Sequence, residues 1–305
     1  MLADALAALG HRVTFVLDES GMRWKADIAG RGHDCVPASA AMPDNNAGSL
    51  LDGYHFGEAE IASWRERSRV LAAVIDHQDI PRWAEVVVAP GLPAGEGGSG
   101  PAIVMAGLEY ALVDPRFVRT EPRSISNKVM NVLVSFGQRD SKNATCLALD
   151  ALEQLAEMQD RGATIVAALS SSAVHFATVE QRVRALPNVV CAADADMAKC
   201  YAQADLVIGG GGVGLLERMA AGLPSVSVVL AGNQKPQIAL CAEAGGTLDA
   251  GSIDGLHAAG LADAIGSLVR SPERRAAMSA AARRAVDGAG ARRVARTMSE
   301  RAGVH

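Results

Sequence analysis

From residue 129 onward the chain alternates between short apolar runs and longer stretches whose apolar positions recur every three or four residues. The runs predict strands over 129–135, 164–169, 189–192, 206–208 and 225–229, separated by single helices over 143–159, 174–185, 197–203 and 215–221. Strands joined through one helix each can pair in parallel only by crossovers, and such crossovers are right-handed. The second half therefore reads as a Rossmann-like parallel sheet. Beyond residue 272, "ERRAAMSAAARRAVDG" has helical spacing with Arg alternating with Ala, the pattern of a solvated amphipathic terminal helix.

The first half is less regular. "MLADALAALGHRVTFVLDES" predicts a helix with Leu2, Leu6 and Leu9 on one face, a stop at Gly10, and a buried strand over 13–17. Further strands are predicted over 71–75 and 84–89. A doubly wound sheet normally opens with a strand whose carboxyl end carries the first ligand loop, so this domain starts one element late, without its first strand. "APGLPAGEGGSGPA", residues 89–102, is a Gly/Pro-rich surface loop, and the polar break "VRTEPRSISNK" at 118–128 reads as a linker. The expected organisation is an N-terminal domain over 1–122, a second over 123–285, and a helical tail over 286–305.

Composition narrows the function. At 305 residues with 49% hydrophobic content, the chain can give two α/β domains a core each. A net charge of -5 leaves no electrostatic footprint for nucleic acid. No run approaches the roughly 18 apolar residues of a membrane span, and no secretory signal opens the chain, so a cytoplasmic location is the default. The five cysteines contain no C-x-x-C pair and the seven histidines no H-x-x-x-H pattern, so neither a metal nor another cofactor is expected.

The densest chemistry lies in "IGGGGVGLLER", residues 208–218. A strand runs into Gly209, Gly210, Gly211 and Gly212, and a helix follows within a few residues; Val213 joins the four glycines as a candidate ligand contact. That arrangement presents backbone amides and the positive end of a helix dipole without a Cβ to hold a phosphate away. A tight turn accounts for one or two of these glycines, not four. Glu217, one turn into the helix, can accept hydrogen bonds from a vicinal diol such as ribose, or can equally be a solvated helix carboxylate. "VLVSFGQRDSKN" places Gly137 at a strand end, followed by an N-cap among Asp140, Ser141 and Asn143. "LAGNQKPQ" offers Asn233 and Gln234, whose amides suit sugar hydroxyls or an Asx-turn. In the first half, "LLDGYHF" and "VIDHQDI" end apolar runs with Asp52 and Asp76, followed by Tyr54 and His77; these are the candidates for acid/base work, Tyr54, Asp76 and His77 foremost, with a structural role as the alternative.

Taken in order, "LADALAALGHRVTFV", "LLDGYHF", "VIDHQ", "AGLEYALVDPRF", "VLVSFGQRDSKN", "ADLVIGGGGVGLLERMAAGLPSVSV" and "AGNQ" resemble the UDP-sugar hydrolases of pseudaminic acid biosynthesis and the related spore-coat polysaccharide proteins. That group is itself similar to the nucleotide-binding half of the N-acetylglucosaminyltransferase of peptidoglycan synthesis. The resemblance implies a GT-B fold, two Rossmann-like α/β domains facing a cleft, with the sugar and catalytic side in the first and UDP in the second. It implies that the Gly209 to Gly212 loop contacts the diphosphate, Glu217 the ribose, Asn233 and Gln234 the sugar or phosphate side, and that Tyr54 lies beside the sugar. The implied reaction is attack of water on the anomeric carbon of a UDP-2,4-diacetamido-2,4,6-trideoxyhexose with inversion, releasing UDP.

The chain departs from that family in three places. The family's catalytic histidine belongs to a G-x-G-H loop after the first strand, before the point where this chain begins; His11 lies on the wrong side of the first helix. Gln138 stands where a second glycine is common, and His77 where a second Asp is common. Two other functions share the site. One is a GT-B glycosyltransferase that uses a UDP-sugar for surface polysaccharide synthesis, although residues 1–122 show no apolar or basic acceptor patch; the other is a nucleotide-sugar-binding relative impaired in catalysis.

Overall fold

The computed structural model describes residues 1–40, 43–53, 56–77, 79–95, 102–158 and 162–304. The chain forms two compact units, one of Met1–Leu112 with Ala289–His305 and one of Val113–Gly288.

The first unit opens with α1 (Leu2–Ala8), β1 (Thr14–Leu17), α2 (Lys25–Gly30) and β2 (Asp34–Pro37). It continues through β3 (Ser49–Asp52), α3 (Glu58–Arg67), β4 (Leu71–Val74), β5 (Val86–Ala89) and β6 (Ile103–Ala106). All its pairings are parallel: β1 with β2, and β3-β4-β5-β6 in order. Every residue of β5 is buried, as expected for a parallel strand covered on both faces, whereas β1 is half-buried along its length.

The second unit follows the predicted alternation. It runs β7 (Asn131–Ser135), α4 (Ala144–Glu153), β8 (Thr164–Leu169), α5 (Phe176–Arg184), β9 (Val189–Ala193), α6 (Met197–Gln203) and β10 (Leu206–Gly210). Then come α7 (Val213–Ala220), β11 (Ser225–Val229), α8 (Gln234–Glu243), β12 (Leu248–Ser252), α9 (Ala258–Val269) and α10 (Pro272–Ala285). The six strands form one parallel sheet in the order β12-β11-β10-β7-β8-β9. The order reverses between β7 and β10, so the crevice beyond their carboxyl ends is the topological switch point where ligands of open α/β sheets bind.

Local chemistry explains where the elements differ from the expected ones. The helix expected over 143–159 stops at Glu153, because Leu155 and Met158 turn inward to join the core of Val132, Val134, Leu149 and Ile165. Its start is fixed by Asp140, a buried residue at φ 37° whose carboxylate accepts the amides of Ala144 (2.8 Å) and Thr145 (3.0 Å). The polar stretch 118–128 is held by arginines rather than by apolar packing. Arg123 donates to the carbonyls of Ala204 and Tyr201 at 2.7 and 2.6 Å, and its burial lowers its pKa to about 10. From α10, the fully buried Arg275 donates to Leu268, Val269, Ser126 and Asn127 carbonyls, joining the end of α9 to that stretch.

The last helix, α11 (Gly290–Arg301), belongs to the first unit. Val294, Ala295 and Met298 are buried there with Leu2 of α1 and with Val70, Ala72, Val86 and Val88. Gly290 passes so close to Ala111 that any Cβ would strike its carbonyl, and Arg293 donates to the Glu109 carbonyl at 2.8 Å. The Arg/Ala-rich end of the chain is thus amphipathic, with one face covered.

Candidate nucleotide site in the second unit

Three loops meet at the carboxyl ends of adjacent strands. The register sets Gly209 of β10 beside Ser135 of β7 and Gly210 beside Val228 of β11. The turn holding Gly137, the glycine loop and the Asn233–Gln234 segment are therefore neighbours. Gly137 is exposed at φ 85°, a left-handed conformation that favours glycine.

The four glycines do different things. At Gly209 an added Cβ would collide with the Ser135 carbonyl and come within 2.9 Å of the Arg218 guanidinium. At Gly211 it would lie 2.9 Å from Cβ of Gln234. Gly212, at φ 80°, turns the chain into α7 and leaves open space where a Cβ would be. Packing thus requires glycine at Gly209 and Gly211, a reason beyond the tight turn and the ligand that the sequence suggests. Val213, the first residue of α7, is 59% exposed despite its apolar side chain, so this end of the helix faces outward.

The amides of the loop are partly committed. Gly212 N–H donates to Gln237 Oε1 at 2.6 Å, and Gly211 N–H to Gln234 Oε1 at 3.3 Å. Gln234 is the first residue of α8, with its oxygen also accepting the Leu230 amide at 3.1 Å. Asn233 is exposed at the N-cap position. Val213 and Gly214 make no backbone hydrogen bond through their N–H groups among the described residues, as is usual in a first helical turn.

Glu217 is half-buried, and its carboxyl pKa is raised by burial first and by Asp114 second, against the opposing pull of Arg218 and Arg116. Arg218 was not singled out from the sequence. It is 2% exposed and donates through Nη2 to the Gly210 carbonyl at 2.7 Å and to Ser227 Oγ at 3.2 Å. Its other neighbours are neutral: burial raises the Tyr201 phenol and pushes the Cys241 thiol up to about 12.

In the first unit, Asp52 ends β3 and Asp76 follows β4. Partial burial and the neighbouring Asp76 carboxylate raise the pKa of Asp52. His77 Nδ1 accepts the Asp79 amide at 3.2 Å, which holds the ring in a local turn with Nε2 as the position for a proton. Tyr54 lies outside the described residues. Among the described residues no helix is long and apolar enough to cross a membrane.

Comparison with known proteins agrees with this architecture. No family model matches the chain. The spore coat polysaccharide biosynthesis protein SpsG of Bacillus subtilis is 27% identical over 150 residues, 48% of this chain and 44% of that protein. The chain thus spans less than half the length of this curated relative. The crystal structure of Acinetobacter baumannii MurG superposes with a TM-score of 0.69 at 16% identity, covering 98% of this chain and 94% of that one. The calicheamicin glycosyltransferase CalG4 superposes with a TM-score of 0.63 at 16% identity, covering 99% and 94%. The fold is GT-B, built of two Rossmann-like α/β units. The expectation of a UDP-sugar hydrolase is corrected by these matches: the solved chains that share the architecture are named mainly as glycosyltransferases, alongside one named as a UDP-N-acetylglucosamine 2-epimerase from Listeria monocytogenes. The hydrolase expectation drew on segment resemblance, and the strand-end and glycine-loop segments among them suit a nucleotide-sugar site whatever the acceptor.

Proposed function

We propose that the chain is a GT-B glycosyltransferase that binds a UDP-sugar on its second unit and transfers the sugar to an acceptor in surface polysaccharide synthesis. The observation that carries this is the β10–α7 turn at the switch point of a sheet whose whole-chain architecture is that of solved glycosyltransferases. The polysaccharide acceptor is supported by the partial likeness to SpsG.

In this proposal the diphosphate lies against Gly209 to Gly212, meeting the free amides of Val213 and Gly214 and the positive end of α7. The carboxylate of Glu217 accepts hydrogen bonds from the ribose hydroxyls, and Asn233 and Gln234 serve the sugar or phosphate side, with Gly137 leaving the backbone open beside them. As the bond from the anomeric carbon to the diphosphate lengthens, charge develops on the leaving phosphate, and amides fixed by the fold stabilise it without reorganising. Transfer also needs a group to take the acceptor's hydroxyl proton. The strand-end groups Asp52, Asp76 and His77 are those the first unit offers, and the raised pKa of Asp52 suits a proton acceptor.

The test measures UDP release from a panel of UDP-hexoses and UDP-N-acetylhexosamines, with and without a pool of polysaccharide-derived saccharide acceptors. Release that depends on the acceptor, together with a glycosylated product by mass spectrometry, is expected. Equal release in water alone would overturn the transferase function.

A further inference from the structure

Arg218 is the charged residue that the site as described leaves unused. Its guanidinium runs beneath the glycine loop rather than out to solvent: Nη2 holds the Gly210 carbonyl at 2.7 Å, and Nη1 lies 2.9 Å from where a Gly209 Cβ would be. No carboxylate pairs with it among the described residues, and its buried Nε has no hydrogen-bond partner. Glu217, the preceding residue, attracts it only from longer range.

The hydroxyls beyond it supply no charge either. Thr247 Oγ1 donates to the Ser225 carbonyl at 3.0 Å, so the hydroxyls of Ser225 and Ser227, at 2.9 and 2.8 Å, donate to Thr247. Ser227 then offers Arg218 a lone pair and nothing more. A buried cation without a counter-ion is among the least favourable arrangements in a protein core. This one sits on the inner side of the glycine loop that leads into α7, whose outer side carries the exposed Val213.

The peptide geometry couples the two sides. In a trans peptide the carbonyl of one residue and the N–H of the next point in opposite directions. Arg218 draws the Gly210 carbonyl inward and thereby turns the Gly211 N–H away from itself, toward the position now filled by Gln234 Oε1.

Building on the UDP-sugar proposal, we infer that Arg218 is the counter-charge for the substrate's diphosphate: a positioning residue, acting through the glycine backbone, that sets the preference for a nucleoside diphosphate over the bare nucleoside. It does not touch the ligand. Its field and its hold on Gly210 make the loop a site for two or more negative charges.

The experiment compares UDP with uridine by calorimetric titration of the full chain and of three variants. R218K keeps the charge, R218Q keeps a donor but loses the charge, and S227D keeps Arg218 but gives it a buried carboxylate partner. The ratio of UDP to uridine affinity is expected to fall by about 10- to 100-fold in R218Q and S227D, and by less than about threefold in R218K. Uridine affinity should stay unchanged, because a structural defect would lower both ligands together. S227D decides the matter if R218Q does not fold. An unchanged ratio in R218Q or S227D, or an equal loss of both ligands, would overturn the role of Arg218 while leaving the nucleotide site standing. Failure of the unsubstituted chain to bind UDP would instead remove the proposed function, and this role with it.

Discussion

In the proposed nucleotide complex, a phosphate oxygen takes the place that Gln237 fills in the free protein. Its Oε1 accepts the Gly212 N–H at 2.6 Å, so in the free protein the side chain acts as a stand-in for the ligand. Replacing it by methionine, similar in length but without a strong acceptor, removes one intramolecular hydrogen bond, whose net worth is about 0.5–1.5 kcal/mol. The free protein should lose that amount. In the complex the phosphate replaces Gln237, so the complex should lose nothing, and the same free energy should reappear as tighter UDP binding, about two- to twelvefold. For a unit of this size the stability loss corresponds to a fall of about 1–6 °C in Tm. Calorimetric titration with UDP and thermal unfolding of Q237M therefore give two measurements of one quantity, opposite in sign. Weaker UDP binding by Q237M would refute the reasoning and make Gln237 a contact of the ligand.

Other outcomes follow from the same geometry. Glu217 has a raised pKa, so its contribution to stability is full below the ordinary value of 4.5 and is lost as pH rises through the raised one. Ribose hydroxyls bind the ionised form, so UDP affinity should rise across that same window; a pH series of titrations should show the rise, and E217Q should flatten it. R275M removes the donor shared by four carbonyls and should destabilise the chain by about 3 kcal/mol in urea unfolding; a change below about 1 kcal/mol would mean that water takes over those carbonyls. G209A forces a methyl against the Ser135 carbonyl and should cost about 1–3 kcal/mol even without ligand, measured as a lower urea midpoint.

The order of elements in the second unit was legible because apolar runs and helical spacing are local signals. Its glycine loop was legible as a place, not as a mechanism. Four consecutive glycines suggested backbone laid open to a ligand, but the collisions at Gly209 and Gly211 involve Ser135 and Gln234, far away in the chain. Arg218 was invisible for a related reason. In "GLLERMA" it reads as the charged face of a surface helix, and only the placement of β11 and Tyr201 shows that this face is buried. Gln237 lies within "NQKPQ", where the proline suggests a loop; Pro236 in fact stands in the first turn of α8, where a missing N–H costs little and the helix can carry both Gln234 and Gln237 toward the glycines. The hydrolase expected from short motifs was corrected for a different reason: motifs of this kind bear on how a nucleotide-sugar could be held and not on what accepts the sugar.

The return of α11 to the first unit orders events during synthesis. The second unit is one continuous stretch, Val113–Gly288, whereas the core of the first, with Leu2 and Val70 against Val294 and Met298, spans both ends of the chain. Domains generally fold as units as they leave the ribosome, the earlier one first. Here the sequence of completion is inverted: the later-encoded unit can close on itself while the earlier one waits, its apolar surface uncovered, for the last helix to emerge.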